Sequence, residues 1–175
     1  PIFWLNYFGW TYNVKPVDET GREIPAEQQH VPFITWAVQD SALVTLMECI
    51  DDGRDSIIDK SRDMGASWLC VALATWYWIF RDDSQILLVS RVEDLVDRRG
   101  DPDCLMWKID YMLSSLPEWM LPSNIKDFEV GGRYRRHLQL VNPKTGSTIS
   151  GQATTAHVGR GGRRTFILFD EMASM

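Results

Sequence analysis

Between Ile34 and Gly53 the apolar residues Leu43, Leu46 and Ile50, with Ala42 and Met47 beside them, recur at the spacing of one helical face, and Gly53 supplies a stop. The pattern then changes. A short strand is expected to end near Ile58, and a loop leads into an apolar run from Trp68 to Phe80 interrupted only by Thr75. That run falls short of the roughly 20 residues a membrane helix needs, so it predicts a buried helix from Ser67 to Phe80. "SQILLVS", Ser84 to Ser90, is a short apolar run bounded by polar residues and suits a buried parallel strand. A helix is predicted from about Pro102 to Met120, broken by Pro117 and closed by Pro122. "HLQLVNPKTGSTISGQA" alternates on both sides of Asn142-Pro143-Lys144-Thr145-Gly146, a hairpin signal, and "RRTFILFDE" holds an apolar strand from Phe166 to Phe169. Upstream, the aromatic segment "PIFWLNYFGWTYNVKP" stops at Pro16 and gives way to a polar connector with Pro25 and Pro32, with no domain boundary there. Strand, helix, strand, helix, strand implies an α/β fold with a largely parallel sheet.

Composition narrows this further. At 175 residues, 45% hydrophobic and 24% charged, the chain reads as one soluble globular domain. Its net charge of -6 does not attract nucleic acid as a whole, so any DNA contact needs a local basic patch. Arg133, Arg135, Arg136, His137, Arg160, Arg163 and Arg164 offer one, and an ordinary solvated basic surface is the alternative. Cys49, Cys70 and Cys104 are odd in number, widely spaced and set among apolar residues, as reduced core cysteines of a cytoplasmic protein would be. His30, His137 and His157 lack ligand spacing, so no structural metal site is expected.

The chemistry concentrates in "IIDKSRDMGASW", Ile57 to Trp68. A phosphate-binding loop needs glycine so that the backbone can aim N–H groups at oxygens, a helix N-terminus, a hydroxyl for Mg²⁺ and a cation for the phosphates. Aligned to G-x-x-x-x-G-K-[ST], Lys60 replaces the first glycine, Gly65 is the second, Ala66 replaces the lysine and Ser67 is the hydroxyl. The departure is informative, because Lys60 and Arg62 lie on the loop itself and a side chain from its start could reach the phosphates that the usual lysine reaches. The residues from Lys60 through Ser61, Arg62, Asp63, Met64, Gly65, Ala66 and Ser67 to Trp68 are therefore the expected nucleotide contacts. A plain strand, turn and helix carrying an exposed cation pair is the alternative.

Asp170 and Glu171 end the strand "TFILF", at the end of a parallel strand where ligands of α/β sheets gather. Asp170 would hold Mg²⁺ through water together with Ser67, and Glu171 would orient or deprotonate the attacking water. Alone, such an acid pair is also an ordinary helix cap or solvated turn.

On these residues the chain resembles the large terminase subunits of tailed double-stranded DNA bacteriophages, in their N-terminal ATPase part. "KSRDMGAS" fits the form of that family's loop in which the lysine stands at the start, and "FWLNYFGWTY" and "VPFITWAVQ" look like its N-terminal segments, placing Gln39 where adenine is recognised. Phe33 and Trp36 are candidate partners for stacking on the base. "HVGRGGRRTFILFDE" matches an Arg-Gly loop before the acid-tipped strand, so by resemblance Arg160 is the arginine finger, acting on a neighbouring subunit's nucleotide. An arginine among glycines can be inserted into developing negative charge, an effect worth about 10³–10⁵ in rate in other NTPases.

The resemblance implies a P-loop NTPase fold of the RecA/ASCE type, with a mostly parallel central sheet flanked by helices and truncated after the acid-tipped strand. Residues 1–53 would form the aromatic and adenine-recognition segment, and residues 54–175 the ATPase core. The family's nuclease domain is absent from this sequence, which reads as the N-terminal part of a longer protein. It also implies ATP and Mg²⁺ as cofactors; double-stranded DNA, a portal protein and a small terminase subunit as partners; a homo-oligomeric ring, pentameric by resemblance; and action in the host cytoplasm, transiently at the procapsid portal, with no membrane. Another nucleic-acid-stimulated ATPase such as a helicase, or a degenerate, non-hydrolysing scaffold that binds portal or partner proteins through its tryptophans, stands as the alternative.

Overall fold

The structure, a computed structural model, describes residues 1–13, 17–18, 20–61, 64–154 and 162–170. The chain opens with helix α1 (Ile2–Phe8), whose Trp4 and Leu5 are buried, followed by an antiparallel ribbon of strands β1 (Trp10–Tyr12) and β2 (His30–Pro32). Helix α2 (Ala37–Asp51) buries Gln39, Leu43 and Cys49 and leaves its other faces largely in water. Helix α3 (Ala66–Phe80) is apolar on every side and is enclosed accordingly, with Val71, Ala74 and Trp78 fully buried. Strand β3 (Gln85–Ser90), the short helix α4 (Glu93–Val96) and helix α5 (Leu105–Ser115) come next. Strands β4 (Arg135–Arg136), β5 (Gln139–Val141), β6 (Thr148–Ala153) and β7 (Phe166–Phe169) complete the order.

One five-stranded sheet, in the order β4-β5-β6-β3-β7, organises the molecule. Strand β3 runs parallel to both of its neighbours, pairing Leu87 with Ser150 of β6 and with Ile167 of β7. With a strand on each side, its Ile86, Leu87, Leu88 and Val89 are all buried, the burial typical of a parallel strand covered on both faces. Helices α3 and α5 pack together, and Leu69, Leu73, Leu105, Met106 and Ile109 join Ile86, Leu88, Leu140 and Ile149 in one continuous core. Each such side chain contributes about 1.5–3 kcal/mol on burial.

The sheet is mixed rather than largely parallel, because β5 and β6 form the hairpin and β4 extends it antiparallel. Asn142 fixes that hairpin: its side-chain oxygen accepts from the Lys144 amide at 2.9 Å, and its Nδ2 donates to the Trp78 carbonyl at 2.8 Å. The strand expected to end near Ile58 does not form; residues 54–60 have no regular structure and Ile57 is 81% exposed. Both edges of β3 are already taken by β6 and β7, and "RDSIIDK" carries too little apolar surface among its charges to claim an outer place. Strand β7 forms over the apolar run Phe166 to Phe169, where Phe166 to Leu168 are half-buried and Phe169 is exposed. It lies at the sheet edge, where one flank has no neighbour among the described residues. The helix predicted over 102–120 is α5 followed by a 3₁₀ turn at Glu118–Met120, with Pro117 separating them. Among the described residues no helix is long and apolar enough to cross a membrane.

Candidate functional site

Because β3, β6 and β7 are parallel, their C-terminal ends share one edge of the sheet, which carries Ser90, Ala153 and Asp170. The first turn of α3 lies at the same edge. There the Ser67 hydroxyl donates a hydrogen bond to Asp170 Oδ1 at 2.9 Å, joining residues 103 positions apart in the chain. A hydroxyl and a carboxylate so placed are hard oxygen donors of the kind Mg²⁺ takes, so the pair fits that ion.

The turn into α3 is set by Gly65, which adopts a left-handed conformation with φ +69° and whose carbonyl accepts the Leu69 amide at 2.9 Å. Only glycine takes that conformation without strain. Gln39 braces the turn: its Nε2 donates to the Met64 carbonyl at 3.0 Å, while its Oε1 accepts the Trp36 amide at 3.0 Å and so ties off the start of α2. A Cβ at position 65 would stand 3.2 Å from Gln39 Nε2. Gly65→Ala is therefore expected to lower stability by about 1–2 kcal/mol, read as the shift in a urea unfolding curve.

The same geometry revises the expected base contacts. Each end of the Gln39 amide makes one hydrogen bond to backbone, so Gln39 holds the loop against α2, with one donor and one acceptor lone pair left over. Phe33, 7% exposed, belongs to the core and offers no face for stacking. Trp36 is 56% exposed. Arg62, Asp63, Arg160 and Glu171 lie outside the described residues. Lys60 and Ser61 are exposed, and no ion pair involves Lys60 among the described residues.

Charge nevertheless converges on the first turns of α3. Burial pushes the Cys70 thiol up to about 12; the negative charge of Asp170 adds to this and the positive charge of Lys60 opposes it, so both groups act on one sulfur. Cys70 is thus an inert core thiol. Trp68 lies edge-on to Tyr111 with ring centroids 5.8 Å apart, and Tyr111 stacks on Trp107 at 5.2 Å and on His30 at 5.7 Å. The Lys108 ammonium sits 5.9 Å from the centre of the Trp68 ring.

The predicted basic patch is not one surface. Arg135 is fully buried and salt-bridged to Asp97 at 2.7 Å and Asp110 at 2.8 Å, and His137 Nε2 lies 2.8 Å from Glu93. The acids come from α4, from the residue after it and from α5, far upstream in sequence. Arg133 lies over the Tyr134 ring, and Arg164 reaches the Ser150 hydroxyl. Among the described residues no group of three or more His, Cys, Asp or Glu is arranged to hold a metal ion.

Sequence reasoning passed over Lys108 and the aromatic group around Tyr111. A signal for Lys108 existed. In "DCLMWKIDYMLSS" the buried positions are Cys104, Leu105, Met106, Lys108, Ile109, Met112 and Leu113, so the lysine occupies a core position of the helical repeat. No family model matches the chain, and no curated protein or solved structure matches it either.

Proposed function

We propose that the chain is a Mg²⁺-dependent ATP hydrolase and, by its resemblance to large terminase subunits, the ATPase part of a motor that drives double-stranded DNA into a viral procapsid. The Ser67–Asp170 hydrogen bond at the C-terminal edge of the parallel strands carries this reading. Two residues far apart in sequence, picked out separately as metal-side groups of a phosphate site, stand within direct contact. The left-handed Gly65 at the start of α3 supports it, since a turn of this kind points backbone N–H groups outward where a helix dipole already favours anions.

In this reading Ser67 and Asp170 hold Mg²⁺, and amides from Met64 to Trp68 hold the phosphate oxygens. Mg²⁺, when bound, would neutralise charge on the transferring phosphoryl group. Lys60 supplies the loop's cation in place of Ala66, Glu171 orients the attacking water and Arg160 enters a neighbour's site. The proposed ring, portal protein and small subunit follow from the resemblance.

The test is calorimetric titration of ATP with Mg²⁺ into the folded protein, wild type beside Lys60→Ala. Saturable binding in the wild type and its loss in the variant are expected, with stability changed by less than about 0.5 kcal/mol because the replaced side chain is exposed. Absence of binding in both would replace the motor with a scaffold.

A further inference from the structure

Lys108 is 7% exposed, and its ammonium donates a hydrogen bond to the Asp103 carbonyl. An ammonium has three donors, and a buried cation is costly unless it is paired. Among the described residues the Asp103 carbonyl is the one acceptor it meets, and no carboxylate forms an ion pair with it. Its place aggravates the cost, because the first turn of α5 presents the positive end of the helix dipole. Burial lowers the ammonium's pKa, opposed chiefly by the negative charge of Asp170, ahead of Asp103.

These features locate the amine on two sides. It lies over Trp68, the residue after Ser67, and it feels Asp170, the partner of Ser67. The amine thus lies over the ring of the residue next to Ser67, within electrostatic reach of the carboxylate that Ser67 meets, and comes from a helix that has no part in the loop.

Resting on the nucleotide-site reading above, we infer that Lys108 is a phosphate-binding cation of this site, reaching from α5 to the oxygens that a lysine at position 66 would otherwise hold. The ligand class is a polyphosphate: a nucleoside triphosphate or inorganic pyrophosphate. Position 66 is alanine and Lys60 stands at the exposed start of the loop, so Lys108 is the buried cation that lies against the first turn of α3. An incoming polyphosphate would supply the acceptors that the buried ammonium lacks.

The test titrates Mg²⁺–ATP and, separately, Mg²⁺–pyrophosphate into wild type, Lys108→Met and Lys108→Arg, with thermal melts of each. Lys108→Met is expected to melt at or above the wild-type temperature, since it removes a buried charge, and to bind both ligands at least about tenfold more weakly. Lys108→Arg keeps the charge on a bulkier head group and is expected to bind both ligands more tightly than Lys108→Met. Should methionine disturb the fold, Lys108→Gln removes the charge while keeping a donor for Asp103. Unchanged affinity in a folded, uncharged variant overturns the inference and leaves the nucleotide site standing. A folded wild type that binds neither ligand overturns both.

Discussion

Asp170→Asn is expected to reduce Mg²⁺-dependent ATP hydrolysis by at least about 100-fold, the equivalent of about 3 kcal/mol of transition-state stabilisation, while leaving the fold intact. The substitution is isosteric, and the amide oxygen can still accept the Ser67 hydroxyl, whose bond to Asp170 is 2.9 Å long. What disappears is the negative charge that would hold the ion. Ser67→Ala removes the other oxygen and should have a comparable effect, whereas Ser67→Thr keeps the hydroxyl and should retain most activity. Phosphate release at saturating Mg²⁺ separates the cases, and Mg²⁺ dependence of nucleotide affinity gives the same separation where turnover is slow. Activity of Asp170→Asn within about threefold of wild type, equivalent to well under 1 kcal/mol, would remove the pair from the reaction.

The second large effect lies away from this edge. Arg135→Met is expected to cost about 3–5 kcal/mol of stability at neutral pH, as removal of one partner of a buried ion network does. The guanidinium is wholly enclosed; it donates to Asp97 at 2.7 and 2.9 Å and to Asp110 at 2.8 and 3.0 Å. Without it two carboxylates remain in the interior. The acids respond oppositely to their surroundings. Burial acts to raise the Asp97 carboxyl, but the Arg135 bonds and the Leu138 amide outweigh it and hold it below the usual range. Burial of Asp110, only partly offset by Arg135 and reinforced by the charge of Asp97, pushes its carboxyl up to about 6.

The signs follow from linkage. Asp97 contributes stability that is present above its unfolded value near 3.8 and lost as pH falls through its lower folded value. Asp110 contributes stability that is present below 3.8 and lost as pH rises through about 6. Between those limits the wild type should therefore gain stability from Asp110 on acidification, and Asp110→Asn should flatten that slope. Arg135→Met should likewise recover part of its loss near pH 5, where the orphaned carboxyls accept protons more readily. Denaturant titrations at pH 5 and pH 7.5 check all three, and an Arg135→Met loss below about 1 kcal/mol at pH 7.5 would show that the network contributes little.

Much of the frame was legible because it is local. An all-apolar helix, a short apolar strand and a hairpin around Asn142 each follow from neighbouring residues, and α3, β3 and the β5–β6 pair fall where the sequence placed them. Ser67 and Asp170 could each be singled out from the sequence, but their contact required the register of β7 on β3. The failures have one origin, which is partners supplied from a distance. Arg135 reads as a surface cation until Asp97 and Asp110 enclose it, and the Ile58 segment reads as a strand until β7 occupies the flank of β3. Lys108 was masked differently, as a charged letter in a position whose periodicity is that of the core.

Strand β7 holds Asp170 in place through four residues that pair on one side only among the described residues, and its last residue is exposed. Short edge strands open at a fraction of the global unfolding free energy. Each such opening carries Asp170 away from Ser67 while α3, β3 and β6 stay folded, so hydrogen exchange at the Asp170 amide, which donates to the Val89 carbonyl at 2.9 Å, would clock how often the assembled pair comes apart. Mass action couples the two events: whatever ligand bridges Ser67 and Asp170 must also quiet that edge, and the amides of β7 would slow their exchange in proportion to its occupancy.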